Sequence, residues 1–440
     1  MKPSGIVLWS MTFLVATFSA PAANPGVIFT NLYSFVSHAT NAHSPSSAMI
    51  QAADGNFYGT THGGLGGGWV SREMANRGIV FKITPSGVLT SLVSFDGANG
   101  ANLVENFGTA ALVEGPEGAL YGTTSNGGVN GGGTVFKITT NGLLTTLHSL
   151  GGNLGTNGWG PVAGLIEGRG GWFYGTAYNG GISVRSNNVG MGTIFRVSPN
   201  GAWETLFCFT GSNGAFPASP LLAGRDGYLY GTTSHGGPAY AKDPPEHGRG
   251  TVFKITTNGV LRALVSFDGS NGAFPCAGLL EGIDGSLYGT TLLGGIAEND
   301  RRDDIGMGQH TFGTIFRITP DGLFTSLFSF NGTNGARPRG ALIQGTDGCL
   351  YGTTEFGGDA YKGPSKGIEH LFYNTYGTVF RISTNGAFST LFSFDSANGA
   401  HPKAGLLQGK DGAFYGTTSA GGVDGSGTIF RMRISSESGE

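Results

Sequence analysis

The sequence predicts an all-β fold: a seven-bladed β-propeller with four antiparallel strands per blade, the last blade closed by the N-terminal strand. Three observations lead to this prediction. Four short motifs recur seven times along the 440 residues, each motif has the composition of a β-strand, and the repeat is out of phase with both chain ends. A propeller of roughly four to eight four-stranded blades uses such a repeat in a closed ring.

Strands A and B open each repeat. Strand A is predicted at an apolar pair such as Leu279-Leu280, and strand B at Tyr-Gly-Thr-Thr or its Tyr-Gly-Thr-Ala variant. An Asp-Gly pair such as Asp284-Gly285 separates them in five repeats, and this dipeptide tolerates the positive φ of tight hairpin turns. The strand B tyrosines are spaced 53 to 64 residues apart, at Tyr58, Tyr121, Tyr174, Tyr230, Tyr288, Tyr351 and Tyr415.

Strands C and D complete the repeat. Strand C is predicted at Gly-Thr-(Val/Ile)-Phe-(Lys/Arg), and strand D at an apolar run that ends in Ser or Cys followed by Phe or Leu. Asn-Gly pairs such as Asn258-Gly259 lie between them. Runs of this length, rich in β-branched and aromatic residues and bounded by turn residues, are typical of strands. Each repeat is therefore a four-stranded antiparallel meander.

The two ends of the chain complement each other. The seventh repeat stops after strand C, at Phe430-Arg431-Met432, whereas residues 27–35 form a strand D with no repeat before it. We expect residues 27–35 to pair with residues 427–433 and close the ring. The alternative, an open solenoid, would instead need polar caps at its ends.

The N-terminal residues 1–23 have the pattern of a secretory signal peptide. Lys2 precedes an apolar run from Ile6 to Phe18, and small residues follow around Ala20 to Ala23. A retained N-terminal anchor is the alternative, although the run is shorter than the ~20 residues that a membrane span needs. We expect a signal peptide at 1–23, the propeller at 24–433 and a disordered tail at 434–440.

Charge and cysteine content limit the partners. The formal net charge is −3, which gives no reason to expect nucleic acid as a partner, and no segment after the first is apolar for long enough to span a bilayer. Cys208, Cys276 and Cys349 lie in three different repeats. We interpret them as isolated packed thiols, with a single disulfide as the alternative.

The repeat resembles a known family. Its consensus, P-x-A-G-L-L-E-G-x-D-G-x-L-Y-G-T-T-x-x-G-G followed by G-T-V-F-K-I-T-x-N-G, is similar to the GloVer tandem repeat of exported bacterial proteins with varied surface-anchoring tails. The similarity extends from residue 27 to about residue 433. The resemblance implies export and a propeller-like architecture but no particular activity. Because residues 435–440 are polar, we expect secretion, or residence in the periplasm or cell envelope, without an anchor.

Function is expected on one face of the disc. The B–C and D–A connections share this side, which we call the loop face, and the short A–B and C–D turns share the other, the turn face. The B–C loops differ widely in length, and variable loops on a regular scaffold commonly carry binding sites. The predicted binding residues are His62, Trp159, His235, His247, His310, Arg337, His370 and His401.

Several of these features have a structural alternative. Eight of the nine histidines fall in B–C or D–A segments, with only His148 predicted in a strand, but polar residues favour loops in any case. Acidic residues at 298–304 could bind Ca²⁺, although a solvated loop is the better interpretation, and no cofactor is predicted. The repeated Asp-Gly-x-Asn segments are interpreted as Asx turns. The strand C cations are expected to pair with turn-face acids such as Asp226, Asp284 and Asp347.

No catalytic residue is assigned, because the sequence contains no nucleophile motif or phosphate-binding loop. We predict an exported, monomeric, non-enzymatic binding or scaffold module whose ligand is a glycan, an envelope component or another protein. The alternative is a polysaccharide lyase or glycosidase with its site at the pore mouth. His401, Arg337 and Trp159 directly precede strand A, the innermost strand, and would line that mouth.

Overall fold

The computed structural model describes residues 26–36, 42–63, 78–101, 111–151, 157–182, 190–238, 248–295, 311–362 and 375–435. Their strands form seven antiparallel sheets, each with four strand positions, which confirms the seven-bladed propeller. The described residues add one 3₁₀ turn at Arg169–Gly171 and contain no helix long and apolar enough to cross a membrane. The predicted signal peptide and residues 436–440 lie outside this part of the chain.

Strand A is short and innermost, and in blade 1 it has two segments. The A strands are β2 (His43–Pro45) with β3 (Ile50–Gln51), β7 (Val113–Glu114), β11 (Ile166–Glu167), β15 (Leu222–Ala223), β19 (Leu280–Glu281), β23 (Ile343–Gln344) and β27 (Leu407–Gln408). The B strands are β4 (Phe57–Gly63), β8 (Leu120–Thr124), β12 (Phe173–Ala177), β16 (Leu229–Thr233), β20 (Leu287–Thr291), β24 (Leu350–Thr354) and β28 (Phe414–Thr418).

Strands C and D form the outer half of each blade. The C strands are β5 (Ile79–Ile83), β9 (Thr134–Ile138), β13 (Thr193–Val197), β17 (Thr251–Ile255), β21 (Thr314–Ile318), β25 (Thr378–Ile382) and β29 (Thr428–Ile434). The D strands are β6 (Leu89–Ser94), β10 (Leu144–Ser149), β14 (Trp203–Cys208), β18 (Leu261–Ser266), β22 (Phe324–Ser329), β26 (Phe388–Ser393) and, for blade 7, β1 (Val27–Ser34).

The tyrosine-glycine pair of strand B has a packing role. Every residue of β24 is buried, and four of the five in β25 are buried too, because neighbouring blades cover both faces of the sheet. A Cβ added to Gly352 would lie 2.5 Å from Cζ of Phe380 and 2.9 Å from Cδ2 of Leu342. Glycine at this position therefore allows the strand C phenylalanine to lie across strand B.

The N-terminal strand closes the ring as predicted. β1 pairs antiparallel with β29, in a register that runs from Val27 opposite Ile434 to Ser34 opposite Thr428. β29 extends one residue beyond the predicted domain end. Inside the ring, the Thr417 hydroxyl of blade 7 donates to the Ser47 carbonyl of blade 1 over 3.2 Å. The closure thus joins both the outermost and the innermost strands.

The turn face contains acid–tyrosine–cation groups. In blade 6, the Asp347 carboxylate accepts from the Tyr351 hydroxyl at 2.8 Å and pairs with Arg381 at 2.9 Å. Burial alone would raise the pKa of Asp347, but these groups and a backbone N–H lower it overall. Arg317 pairs with Asp284 in the same way at 3.1 Å. Both pairs agree with the prediction.

Blade 4 differs from the expected pairing. The Lys254 ammonium donates to the Pro320 carbonyl of the next blade at 3.0 Å instead of pairing with Asp226. Asp226 accepts from the Tyr230 hydroxyl at 2.6 Å. The lysine lies beside the C–D turn of blade 5, whose backbone offers an acceptor.

Two further predictions are confirmed and one is wrong. The three cysteines are free thiols. The D–A turns are Asx turns, since Asp96 and Asn99 each accept from the other's backbone N–H at 3.0 Å. His43, however, lies in β2 and not in a loop, because the chain is already extended there and pairs with Gly63.

Candidate binding site on the loop face

The chain enters strand A through a residue with left-handed backbone conformation. We call this position, which directly precedes a proline in six blades, the entry residue. The entry residues, with φ in degrees, are Ser44 (55), Gly160 (67), Phe216 (56), Phe274 (56), Arg337 (53) and His401 (56). The left-handed region costs a residue with a side chain roughly 1–2 kcal/mol. Gly160 shows that this backbone needs no side chain, yet four blades place a large one there.

Backbone hydrogen bonds between blades impose this conformation. The Arg337 N–H donates to the Phe312 carbonyl of blade 5 at 2.8 Å, and the Arg337 carbonyl accepts from the Glu355 N–H of blade 6 at 3.1 Å. His401 is held in the same way between Tyr376 and Ser419. The entry residues therefore lie at the junctions between blades, around the loop-face end of the inner strands.

Four aromatic side chains form a continuous series across blades 3 to 5. Tyr178 stacks on Phe216 at 5.1 Å between ring centroids. His235 lies next, with its ring 5.6 Å from Phe216 and 4.9 Å from Phe274. All four side chains are half-buried, so each keeps part of its ring accessible. We call Tyr178, Phe216, His235 and Phe274 the aromatic arc.

Blades 6 and 7 carry a group of charged side chains at the loop-face end of strands A and B. The Glu355 carboxylate pairs with the Arg339 guanidinium and lies 3.7 Å from the Lys403 ammonium. The side chain of Glu355 is only 6% exposed, against 16% for Arg339 and 36% for Lys403. We call Arg337, Arg339 and Lys403, arranged around Glu355, the cationic cluster; its formal charge is positive, with three cations and one anion.

Phe356 joins the cationic cluster to His401. The Arg337 guanidinium lies 5.5 Å from the centre of the Phe356 ring, and the His401 ring contacts the same ring at 4.9 Å. Burial lowers the pKa of His401, although the nearby Glu355 partly opposes this. Burial also lowers the pKa of Arg337; the nearby Glu355 opposes this effect, and the like charge of Arg339 adds to it. The site thus combines cations with a neutral imidazole in a partly desolvated setting.

The structure places the predicted site residues in different parts of the loop face. Arg337 and His401 are brought together through Phe356, and His235 belongs to the aromatic arc. Trp159 occupies the position before entry residue Gly160, and its indole Nε1 meets no acceptor among the described residues. His62 is exposed at the end of β4. The remaining three, His247, His310 and His370, lie outside the described residues, so the set as a whole stays a prediction.

Sequence analysis missed several members of the site. Phe216 and Phe274 stand at the position of Arg337 and His401 in their own repeats, and aligning the seven repeats on the following proline would have found them. Glu355 replaces a serine or another uncharged residue that follows Tyr-Gly-Thr-Thr elsewhere. Its pairing with Arg339 and Lys403 has no signal in sequence spacing.

A metal site is not apparent in the part of the chain that the structure describes. There, no group of three or more His, Cys, Asp or Glu side chains could hold an ion. The acidic residues at 298–304 considered for Ca²⁺ fall outside it, so that prediction remains open.

These features define a class: a repeat-built propeller whose similar blades carry dissimilar side chains at the entry positions that the structure describes. The chain belongs to the Gloeobacter/Verrucomicrobia repeat family, whose model matches residues 76–301 and 305–439. This confirms the resemblance found in the sequence. A comparison with curated proteins found no match.

Solved structures share the fold at low sequence identity. Virginiamycin B lyase from Staphylococcus aureus is 16% identical, with a TM-score of 0.55 over 93% of this chain and 99% of that one. The extracellular domain of a hybrid two-component system from B. thetaiotaomicron is 12% identical, with a TM-score of 0.50 over 92% of this chain and 40% of that one. At such identities the similarity describes the fold alone.

Proposed function

We propose that this protein is a glycan-binding module that uses its loop face. The observation that carries the proposal is the set of large entry side chains, Phe216, Phe274, Arg337 and His401, held in a left-handed backbone conformation. A non-glycine residue in that conformation stores strain, and such strain clusters at functional sites. The backbone junction between blades also forms with glycine, as in blade 3.

The aromatic arc suits a sugar ligand. A half-buried ring presents an apolar face beside polar surroundings, which matches the apolar C–H faces and polar rim of a sugar ring. The rings already contact one another, so little side-chain freedom is lost when a ligand stacks on them. A chain of saccharide units following the mouth would meet several rings in succession.

Replacing Phe216 by glycine tests the proposal without disturbing the backbone. The variant removes the ring but keeps the left-handed conformation. Relief of roughly 1–2 kcal/mol of backbone strain offsets part of the packing lost when this half-buried ring leaves the core. The net change in stability should therefore stay below about 2 kcal/mol, whereas affinity for a glycan found on an array should fall about tenfold. Ser44→Gly in blade 1 is the matched control, because it changes an entry residue outside the arc. An unchanged affinity in Phe216→Gly would contradict the proposal.

A second candidate is a polysaccharide lyase, as one specific observation favours it. The Arg337 guanidinium and the His401 ring both contact the ring of Phe356. Burial lowers the pKa of His401. A cation that neutralises a uronate carboxylate, next to a neutral base, suits abstraction of the C5 proton beside that carboxylate. The electron pair of the C5–H bond then forms the C4–C5 double bond as the glycosidic C4–O bond breaks and the remaining saccharide leaves. Ultraviolet absorbance of an unsaturated product, lost in His401→Gln, would establish this activity. A glycosidase is disfavoured, because Glu355 is the only carboxylate of the described cluster and such enzymes need two.

We also propose that the protein acts outside the cytoplasm as a monomer. The signal-peptide pattern of residues 1–23 supports export. N-terminal sequencing of the protein from culture medium and periplasm would test the cleavage near Ala20 to Ala23, and light scattering would test the oligomeric state. A cytoplasmic protein that retains Lys2 would refute the localisation.

A further inference from the structure

We propose that the rim of the turn face docks onto the surface of a lipid bilayer and so directs the loop face away from it. One exposed apolar residue per blade makes the contact. These rim residues are Ile28, Val88, Leu143, Ala202, Val260, Leu323 and Ala387. The contact lies on the face opposite the proposed glycan site and does not depend on it.

The rim residues occupy one structural position in all seven blades. Phe29 pairs with Met432 in blade 7 as Leu261 pairs with Ile255 in blade 4, and a rim residue directly precedes each of these strand D residues. Equivalent positions of a propeller lie at one height around its axis, so the rim residues form a planar ring. The five that are larger than alanine are between 61% and 69% exposed. Single apolar residues scattered over a surface are ordinary, but these recur at one position.

The C–D turns present the rim residues without leaving their backbone groups unpaired. In blade 4, the Val260 N–H donates to the Thr256 hydroxyl at 3.0 Å, and the Val260 carbonyl accepts from the Thr256 N–H at 3.1 Å. Leu143 makes the same two bonds with Thr139 in blade 2. Because an unpaired backbone group is costly in an apolar medium, these turns are suited to contact with lipid.

The distribution of the rim residues favours a bilayer over a second protein. They lie one blade apart, and an exposed polar residue stands two positions before each of them in the C–D turns, as Asn141 does before Leu143. No continuous apolar patch results, whereas a protein interface has a contiguous, largely apolar core. A bilayer surface is planar and fluid, so it accepts separate side chains at once, and binding increases with the apolar area inserted.

The six C–D turns carry almost no charge. They comprise residues 84–88, 139–143, 198–202, 256–260, 319–323 and 383–387, and Asp321 is the one charged residue among them. A hydrogen bond from Thr319 lowers the pKa of Asp321, and the nearby Lys254 and Arg262 add to this effect. The rim therefore suits lipids with electrically neutral headgroups.

The N-terminal segment joins the propeller at the same rim. Gly26, two residues before Ile28, accepts from the Ser435 N–H at 2.8 Å, which places it at the turn-face end of β1 and β29. The apolar run from Ile6 to Phe18 precedes Gly26 by seven intervening residues, a stretch that reaches at most about 30 Å. While that run is inserted in a membrane during export, the turn face is held close to the lipid.

The test is flotation of the mature protein, residues 24–440, with vesicles of phosphatidylcholine and phosphatidylethanolamine. The mature form is used because the apolar run would bind lipid by itself. We expect binding that persists as salt is raised and changes little when phosphatidylglycerol is added, since the contact is apolar. Binding that requires phosphatidylglycerol and disappears in salt would refute it.

A rim variant and a matched control locate the contact. The rim variant has three exposed apolar residues changed to serine: Leu143→Ser, Val260→Ser and Leu323→Ser. The control variant has the same change at three apolar residues of the loop face that are 88%, 57% and 83% exposed: Val129→Ser, Ile182→Ser and Val423→Ser. Surface substitutions of this kind alter stability little. The rim variant should bind vesicles at least about tenfold more weakly, and the control variant should bind as the unmodified protein does.

Three outcomes would overturn the proposal. Absence of vesicle binding, or equal weakening in both variants, would refute docking through the rim. A mature protein that is dimeric by light scattering and becomes monomeric in the rim variant would show that the rim covers a second copy of the chain and not a membrane. Glycan affinity should be the same in the rim variant as in the unmodified protein, so failure here leaves the glycan proposal standing.

Discussion

Replacing Phe29 by alanine is expected to loosen the ring at its closing strand, β1. The Phe29 ring stacks on Phe392 of blade 6 at 4.1 Å and on Phe430 of blade 7 at 5.2 Å, and it meets the edge of Phe394 at 5.9 Å. This side chain therefore joins the N-terminal strand to two blades at once. The covalent chain does not connect β1 to either of them nearby.

The magnitude follows from burial. Truncating a fully buried Phe to Ala costs about 3–5 kcal/mol, and Phe29 is half-buried, so we expect a loss of about 2 kcal/mol. If β1 detaches locally before the rest of the protein unfolds, that loss raises the detached population roughly 30-fold. Hydrogen exchange measured by mass spectrometry should then accelerate in residues 27–34 and 428–434, where β1 and β29 pair.

Phe388→Ala is the matched control. Phe388 occupies the equivalent position in β26 and stacks on Phe328 at 3.9 Å, but its strand is continuous with blade 6 in the chain. The Phe388→Ala variant should lower the midpoint of urea unfolding about as much as Phe29→Ala does, but without a selective acceleration of hydrogen exchange in β1. Ile28→Ala, at a side chain 61% exposed, should change stability by less than about 0.5 kcal/mol. Equal exchange in β1 for all three variants would refute the idea that Phe29 fastens the ring.

Three further predictions concern the frame. Thr417→Val removes the hydroxyl that donates to Ser47 across the closing junction and should cost about 1 kcal/mol in urea unfolding; no change would show that the bond contributes nothing. Gly352→Ala places a methyl group against Phe380 and should cost about 1–3 kcal/mol, unless the ring moves freely. Burial alone would raise the pKa of Asp411, but hydrogen bonds, the strongest of them from Arg431, lower it from 3.8 to about 2. Its contribution to stability is therefore complete above pH 3.8 and lost as pH falls towards 2, and Asp411→Asn should flatten that part of the stability–pH curve.

The architecture was predictable because it depends on local patterns repeated seven times. Each strand motif and each Gly-containing turn is encoded within a few residues. A motif that is hard to assign in one repeat can be assigned by comparison with the other six. Even the pairing of β1 with β29 followed from the missing strand D. His43 was misplaced because blade 1 has an extra inner segment, β2, that the motif does not show.

The site was predictable only in part, for a different physical reason. Arg337 and His401 could be placed near the mouth because they directly precede strand A. Their neighbours could not be assigned, since contacts such as Glu355 with Lys403 join the end of one blade's strand B to the start of the next blade's strand A. The twist between blades decides which side chains meet there, and no spacing in the sequence encodes it.

The entry position also separates the stability of the frame from the chemistry of the site. Its backbone N–H and carbonyl join adjacent blades, and these bonds are the same for Gly160, Phe216 and Arg337. Changing the side chain therefore leaves the junction intact, and the left-handed conformation imposes a similar strain on any non-glycine residue. Glycine would avoid this strain in every blade, so the large side chains of blades 4 to 7 are explained by their contacts, which for Phe216 include the hydrophobic core as well as the aromatic arc.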